Sequence, residues 1–143
     1  MSPFVIFLDV DGVICIKGKI NYICLLYLKT IVEVTGANIV LSSNWRLQDE
    51  FKNSITKLLS ERNIKIIGFT ESIQDERVLE ILTWIDQHKP YQWIVLDDRN
   101  LLSELISLKI SKKYHDKVTP LVRKWLNASI TCFSNHFVKT ETY

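Results

Sequence analysis

The chain reads as an α/β domain, a parallel sheet of about five strands between layers of helices. Three observations predict this. Short continuous runs of β-branched and aromatic residues alternate with longer stretches of helical periodicity, the pattern of βαβ units. Three of the apolar runs end in polar residues (Asp9, Ser42-Ser43 and Asp97-Asp98), and in parallel sheets ligands bind at the carboxyl ends of strands. The length, 143 residues, is that of one domain.

Phe4–Leu8 is continuous rather than alternating, as a strand buried on both faces should be. Residues 13–20, with Gly18 between Lys17 and Lys19, predict a turn or small hairpin. Tyr22–Val34 predicts a helix stopped by Gly36, and Asn38–Leu41 a second strand. The spacing of Leu47, Phe51, Ile55, Leu58 and Leu59 fits the next helix. Ile64–Ile67 is expected as a third strand. Val78, Ile81, Leu82 and Ile85 mark a helix that ends near Lys89-Pro90. Trp93–Leu96 is a fourth strand running straight into Asp97-Asp98. A helix spans Leu101–Leu108. Another begins at Thr119-Pro120, where a hydroxyl cap precedes a proline at the first helical position. Ile130–Phe133 is expected as the fifth strand.

Apolar residues at 47% and charged residues at 24% exclude a disordered or fibrous chain. A formal charge of +2 neither demands nor excludes a nucleic-acid partner. The first apolar run is cut by Asp9 and Asp11, too short and too charged for a signal peptide or membrane span. Cys15, Cys24 and Cys132 form no CxxC and suit neither a disulfide framework nor a zinc site. They read as small core residues of a reducing, cytoplasmic setting. Trp84, Trp93 and Trp125 fall in core patterns, and His88, His115 and His136 show no ligand spacing.

Asp9-Val10-Asp11-Gly12 carries the chemistry. On an extended backbone residues i and i+2 share a face, so both carboxylates can address one substrate, and Gly12 permits the tight turn that follows. Asp97 and Asp98 arrive at the same edge from the fourth strand. Carboxylates this close raise one another's pKa, and a hard divalent cation is the usual compensation; an all-oxygen donor set favours magnesium.

Val5 to Val13 resembles motif I of the haloacid dehalogenase (HAD) superfamily, a hydrophobic strand followed by DxDG[TV]. Val40 to Ser43 resembles its second motif, and Ile94 to Asp98 its fourth, acidic motif. Ser42-Ser43-Asn44-Trp45-Arg46 further resembles the HAD group named after Swiss-army-knife RNA-repair proteins. Asp97-Asp98-Arg99 is similar to the phosphatase domain of phage-type polynucleotide kinase-phosphatases. The resemblance implies a Rossmann-like three-layer sandwich in which Asp9 is the nucleophile and forms an aspartyl-phosphate. Asp11 is then the general acid, and afterwards the base. It also implies Mg2+ held by Asp9, the backbone carbonyl of Asp11 and a motif IV acid, Asp98 with Asp97 supporting.

Ser42, or Ser43 one register step on, would donate to a phosphoryl oxygen. The third motif normally supplies a lysine, and this sequence has Arg77 at that place instead, which can brace a phosphate through its fork. Arg46 either grips a second phosphate or pins its own loop. The stretch holding Lys109, Lys112, Lys113, Lys117, Arg123 and Lys124 is either a solvated face or a wall for a phosphorylated polymer. The segments between motifs I and II and between II and III, roughly thirty residues each, are taken up by ordinary elements and leave no room for a cap domain, so the site is open. The reading is therefore a Mg-dependent phosphomonoester hydrolase acting on a macromolecule, either a protein phosphoresidue or a nucleic-acid 3′-phosphate. A degenerate binding module and a phosphotransferase or phosphomutase are the alternatives.

Overall fold

The computed structural model describes residues 4–112, 114, 116–128 and 134–140. In chain order the elements are β1 (Phe4–Leu8), β2 (Cys15–Ile16), β3 (Lys19–Ile20) and α1 (Tyr22–Thr35). Next come β4 (Asn38–Leu41), a 3-10 turn (Asn44–Leu47), α2 (Asp49–Ser60), β5 (Ile66–Phe69) and α3 (Arg77–His88). They are followed by β6 (Gln92–Asp97), α4 (Leu101–Ser111), α5 (Pro120–Asn127) and β7 (Phe137–Lys139).

Five strands form a parallel sheet in the order β5-β4-β1-β6-β7, and β2 pairs antiparallel with β3 as a separate hairpin. β1 holds the centre because both its faces are apolar and both are covered. Val5 and Phe7 pack with α3, α4 and α5, while Ile6 and Leu8 pack with α1 and α2. The period-2 alternation of one strand thus feeds two cores, which makes three layers. Phe7 meets Trp84 and Trp93 edge-on at 5.5 and 6.1 Å. His88 stacks on Trp84, and His136 stacks on Trp93 and bonds its carbonyl, so both imidazoles are held by core aromatics. Cys15 is buried and Cys24 half-buried. Cys132, Lys113 and His115 lie outside the described residues.

The expected helix caps are present. Asn21 accepts from the Ile23 and Cys24 amides, Gly36 closes α1 at φ 69°, and Thr119 caps α5 ahead of Pro120. Three expectations shift. The third strand begins at Ile66, not Ile64. Asn63 at φ 59° ends α2 in a Schellman pattern, with Asn63 N–H bonding Ser60 O and Ile64 N–H bonding Leu59 O. Ile64 therefore packs under the helix end before the strand starts. Leu47 belongs to the 3-10 turn and, like Phe51, is exposed, so only Ile55 and Leu59 of the α2 stripe are buried. Ile130–Phe133, expected as the fifth strand, lies outside the described residues; the strand beside β6 is Phe137–Lys139. Between β1 and α1 stands only the β2–β3 hairpin, and between β4 and α3 only the 3-10 turn, α2 and β5, so no cap domain occurs among the described residues. None of their helices is long and apolar enough to cross a membrane.

Candidate active site

Because all five strands run parallel, Asp9, Ser42, Thr70, Asp97 and Thr140 reach the same edge. The ladder carries one residue past the strands: Asp9 N–H bonds Leu96 O, Ser42 N–H bonds Leu8 O, and Thr140 N–H bonds Asp97 O. Beyond Asp9 the chain folds tightly, with the amides of Val13, Ile14 and Cys15 all donating to Val10 O. Gly12 sits at φ 82°, and a Cβ placed there would lie 2.2 Å from Asp98 Oδ2. The Asp98 carboxylate thus occupies the space that glycine leaves, which brings motif I and the β6 acids together. Thr140 Oγ1 donates to Gly12 O at 2.7 Å and ties the last strand to the same turn.

Asp9, Asp97 and Asp98 each offer a carboxylate oxygen within 4.8 Å of the other two. Asp9 is buried, and its pKa is pushed up from 3.8 to about 8. Burial is the main cause, the Asp97 charge the next; Asp98 adds through a hydrogen bond and its charge, while Arg77 opposes. A divalent cation among these oxygens would reverse that balance, and three hard oxygen donors suit magnesium. The donor set fits the ion.

Arg77, the first residue of α3, is 2% exposed. Its Nη1 lies 2.8 Å from Asp97 Oδ2 and 3.4 Å from Asp9 Oδ1, and its Nη2 donates to Asn44 Oδ1. The cation expected for the third motif therefore stands against the candidate nucleophile. Asp97 accepts from Arg77 through Oδ2 and from the Arg99 amide through Oδ1. Both of its oxygens have donors, whereas Asp98 is half-buried at the Gly12 turn.

Asp11 is exposed, beyond the buried triad, and its Oδ2 accepts from the Trp45 indole at 3.2 Å. The two serines separate by their contacts. Ser43 Oγ caps the 3-10 turn by accepting from Trp45 N–H, while the buried Ser42 Oγ has no hydrogen-bond partner among the described residues.

Arg46 corrects one expectation, since its guanidinium faces inward rather than toward a substrate. Nε donates to Thr70 O, Nη1 to Ser42 O and Ser43 O, and Nη2 to Glu71 O, with Glu80 Oε1 at 2.9 Å from Nη2. All five donors of the fork are engaged, so of the two alternatives the contacts match the pin. It locks the motif II turn to the loop before α3, whose Ile73 amide Glu80 also holds.

Asn44, Trp45 and Arg99 stand in the sequence analysis only as parts of motifs, with no role of their own, and Glu80 and Thr140 do not stand there at all. Trp45 and Asn44 flank a motif and could have been weighed by proximity. Glu80 falls within an apolar stripe and reads as surface, and Thr140 follows a three-residue strand with no periodicity of its own. The described residues of the basic stretch lie on α4, α5 and the chain between them, and Lys109 Nζ donates to Ala128 O. A cavity of 630 Å³ on the α1 side of β6 and β7 borders Gly12 and Thr140 but contains no acid, so the chemistry lies outside it.

Neither the curated proteins nor the solved structures searched include a match to this chain. The family model described as the HAD domain in Swiss Army Knife RNA repair proteins matches residues 5–143. With nearly its whole length covered, the chain belongs to that HAD-domain family.

Proposed function

We propose that this protein is a magnesium-dependent phosphomonoester hydrolase that works through Asp9 on phosphorylated nucleic-acid ends. The observation that carries the reading is the meeting of Asp9, Asp97 and Asp98 within 4.8 Å, with Arg77 bridging Asp9 and Asp97. The family's description, RNA repair, supports a nucleic-acid 3′-phosphate over a protein phosphoresidue. The open, capless edge suits a macromolecular end.

In this mechanism an Asp9 carboxylate oxygen attacks phosphorus, the P–O bond to the leaving oxygen breaks, and Asp11 gives that oxygen its proton. Water then attacks the aspartyl-phosphate as Asp11 takes a proton back, releasing inorganic phosphate and restoring Asp9. Trp45 holds the Asp11 carboxylate toward the mouth of the site. Arg77 keeps Asp9 in place and opposes its protonation. Ser42 Oγ and Arg77 Nε are buried donors without partners among the described residues, and a phosphoryl oxygen is an acceptor suited to them. Asp9, Asp98 and the Asp11 carbonyl would hold Mg2+, with Asp97 bracing Arg77. The ion would supply charge for the phosphoryl oxygens as the leaving group departs.

The test is phosphate release from a 3′-phosphorylated oligonucleotide and from phosphoserine and phosphotyrosine peptides, with magnesium or with EDTA. Magnesium-dependent release from the oligonucleotide, lost by several orders of magnitude in Asp9→Asn, is the expected result. Preference for a peptide overturns the substrate. No magnesium-dependent release from any of them, or Asp9→Asn within tenfold of wild type, overturns the chemistry.

A further inference from the structure

We propose that Lys17, at the tip of the β2–β3 hairpin, forms a second anion subsite, which holds the phosphodiester next to the scissile phosphomonoester. The inference rests on the nucleic-acid reading above. Lys17 lines a cavity of 280 Å³ together with Asp11, Gly12, Cys15 and Asp98. At roughly 30 Å³ per water this is about nine waters, room for more than a lone phosphate.

Among the described residues that line this cavity, Lys17 is the one cation. Arg46 is paired with Glu80, Arg77 with Asp97 and Asp9, and Arg99 with Glu104 and Asp75. Lys17 is exposed, lines the cavity it shares with Asp11 and Asp98, and makes no ion pair among the described residues. A polyanion approaching the two carboxylates would be repelled unless a cation stood at the entrance, and lysine binds phosphate as a point charge.

The backbone points the same way. Lys17 and Gly18 both have positive φ, 53° and 78°, as a two-residue hairpin turn of the primed kind requires. That first position ordinarily takes Asn, Asp or Gly, so turn chemistry alone does not account for a lysine there. The hairpin is also tied to motif I, because Gly12 N–H bonds Cys15 O at 2.8 Å and Asn21 N–H bonds Ile14 O. The tip is thereby kept on the catalytic side.

Lys17→Gln and Lys17→Glu would be compared with wild type and with Lys57→Gln, which removes an exposed charge from the last turn of α2. For each, kcat/KM is measured on a 3′-phosphorylated oligonucleotide, a nucleoside 3′-monophosphate and p-nitrophenyl phosphate, and oligonucleotide Kd by fluorescence anisotropy. The ratio of oligonucleotide to p-nitrophenyl phosphate kcat/KM should fall about tenfold in Lys17→Gln and further in Lys17→Glu, mainly through KM, with Kd rising in parallel. The slope of log Kd against log salt should lessen by about 0.7, one phosphate contact on a single strand. Lys57→Gln should keep the wild-type ratio. A ratio and Kd within twofold of wild type in both Lys17 variants overturn the subsite and leave the nucleic-acid reading standing. A wild type that fails to prefer the oligonucleotide over the nucleoside monophosphate overturns that reading, and the subsite falls with it.

Discussion

Replacing Asp9 by asparagine should abolish turnover and at the same time stabilise the metal-free protein at alkaline pH. Asp9 titrates at about 8 in the folded chain and at an ordinary 3.8 when unfolded. Between those values the folded state holds the proton that the unfolded state has released, so stability falls as pH rises from about 4 and levels off above about 8. At 1.36 kcal/mol per pH unit the full window corresponds to roughly 6 kcal/mol, an upper limit. Asparagine carries no charge to bury, but it leaves Arg77 without the contact at 3.4 Å, which takes back part of the gain. A net of about 2 kcal/mol, and about 3 °C in Tm per kcal/mol for a chain of this length, gives roughly 6 °C. The assay is a pair of thermal melts in EDTA, at pH 8.5 and at pH 5. The variant should melt higher at pH 8.5, and the advantage should shrink to under about half at pH 5, where wild-type Asp9 is already neutral when folded. Added magnesium should then raise wild type more than the variant, because the ion binds the intact acid set. A variant that melts below wild type at pH 8.5 in EDTA would refute the argument that crowding and burial strain this carboxylate.

Asp98→Ala should raise the magnesium concentration for half-maximal activity more than Asp97→Ala does. Asp97→Ala should instead lower Tm, since it leaves the buried Arg77 without its 2.8 Å partner, and activity titrations alongside melts separate the two. Arg46→Met should cost about 3–5 kcal/mol in chemical denaturation because Glu80 is left buried and unpaired, whereas a pure rise in KM with unchanged stability would restore the phosphate-grip role. Trp45→Phe keeps an aromatic ring against Phe51, 5.0 Å away, but loses the donor to Asp11. It should lower kcat about tenfold with KM nearly unchanged, and a rise in KM alone would contradict a positioning role.

The elements legible in the sequence are those whose physics is local. β1, β4 and β6 are continuous apolar runs, α1 and α5 carry cap signals and α3 an apolar stripe, and Asp9, Asp98 and Arg77 stand at or next to element ends where pattern and topology agree. Ile64 was misread as strand because an asparagine at positive φ can end a helix as glycine does, and nothing in composition marks which asparagine will. The expected strand Ile130–Phe133 lies outside the described residues, and β7, which pairs with β6, is not legible in the sequence because three residues carry no period.

By itself, then, the sequence determined the alternation of elements, the parallel sheet and the acids at its edge, since burial on two faces and a strand period of two leave few other arrangements. Only the tertiary structure decided which way each charged group faces. It turned Arg46 inward onto Glu80, set Arg77 between Asp9 and Asp97, fitted Asp98 into the hollow at Gly12 and left Lys17 with no ion pair among the described residues. The reason is that a charge's role depends on its partners, and partners distant in the chain meet only when the layers close.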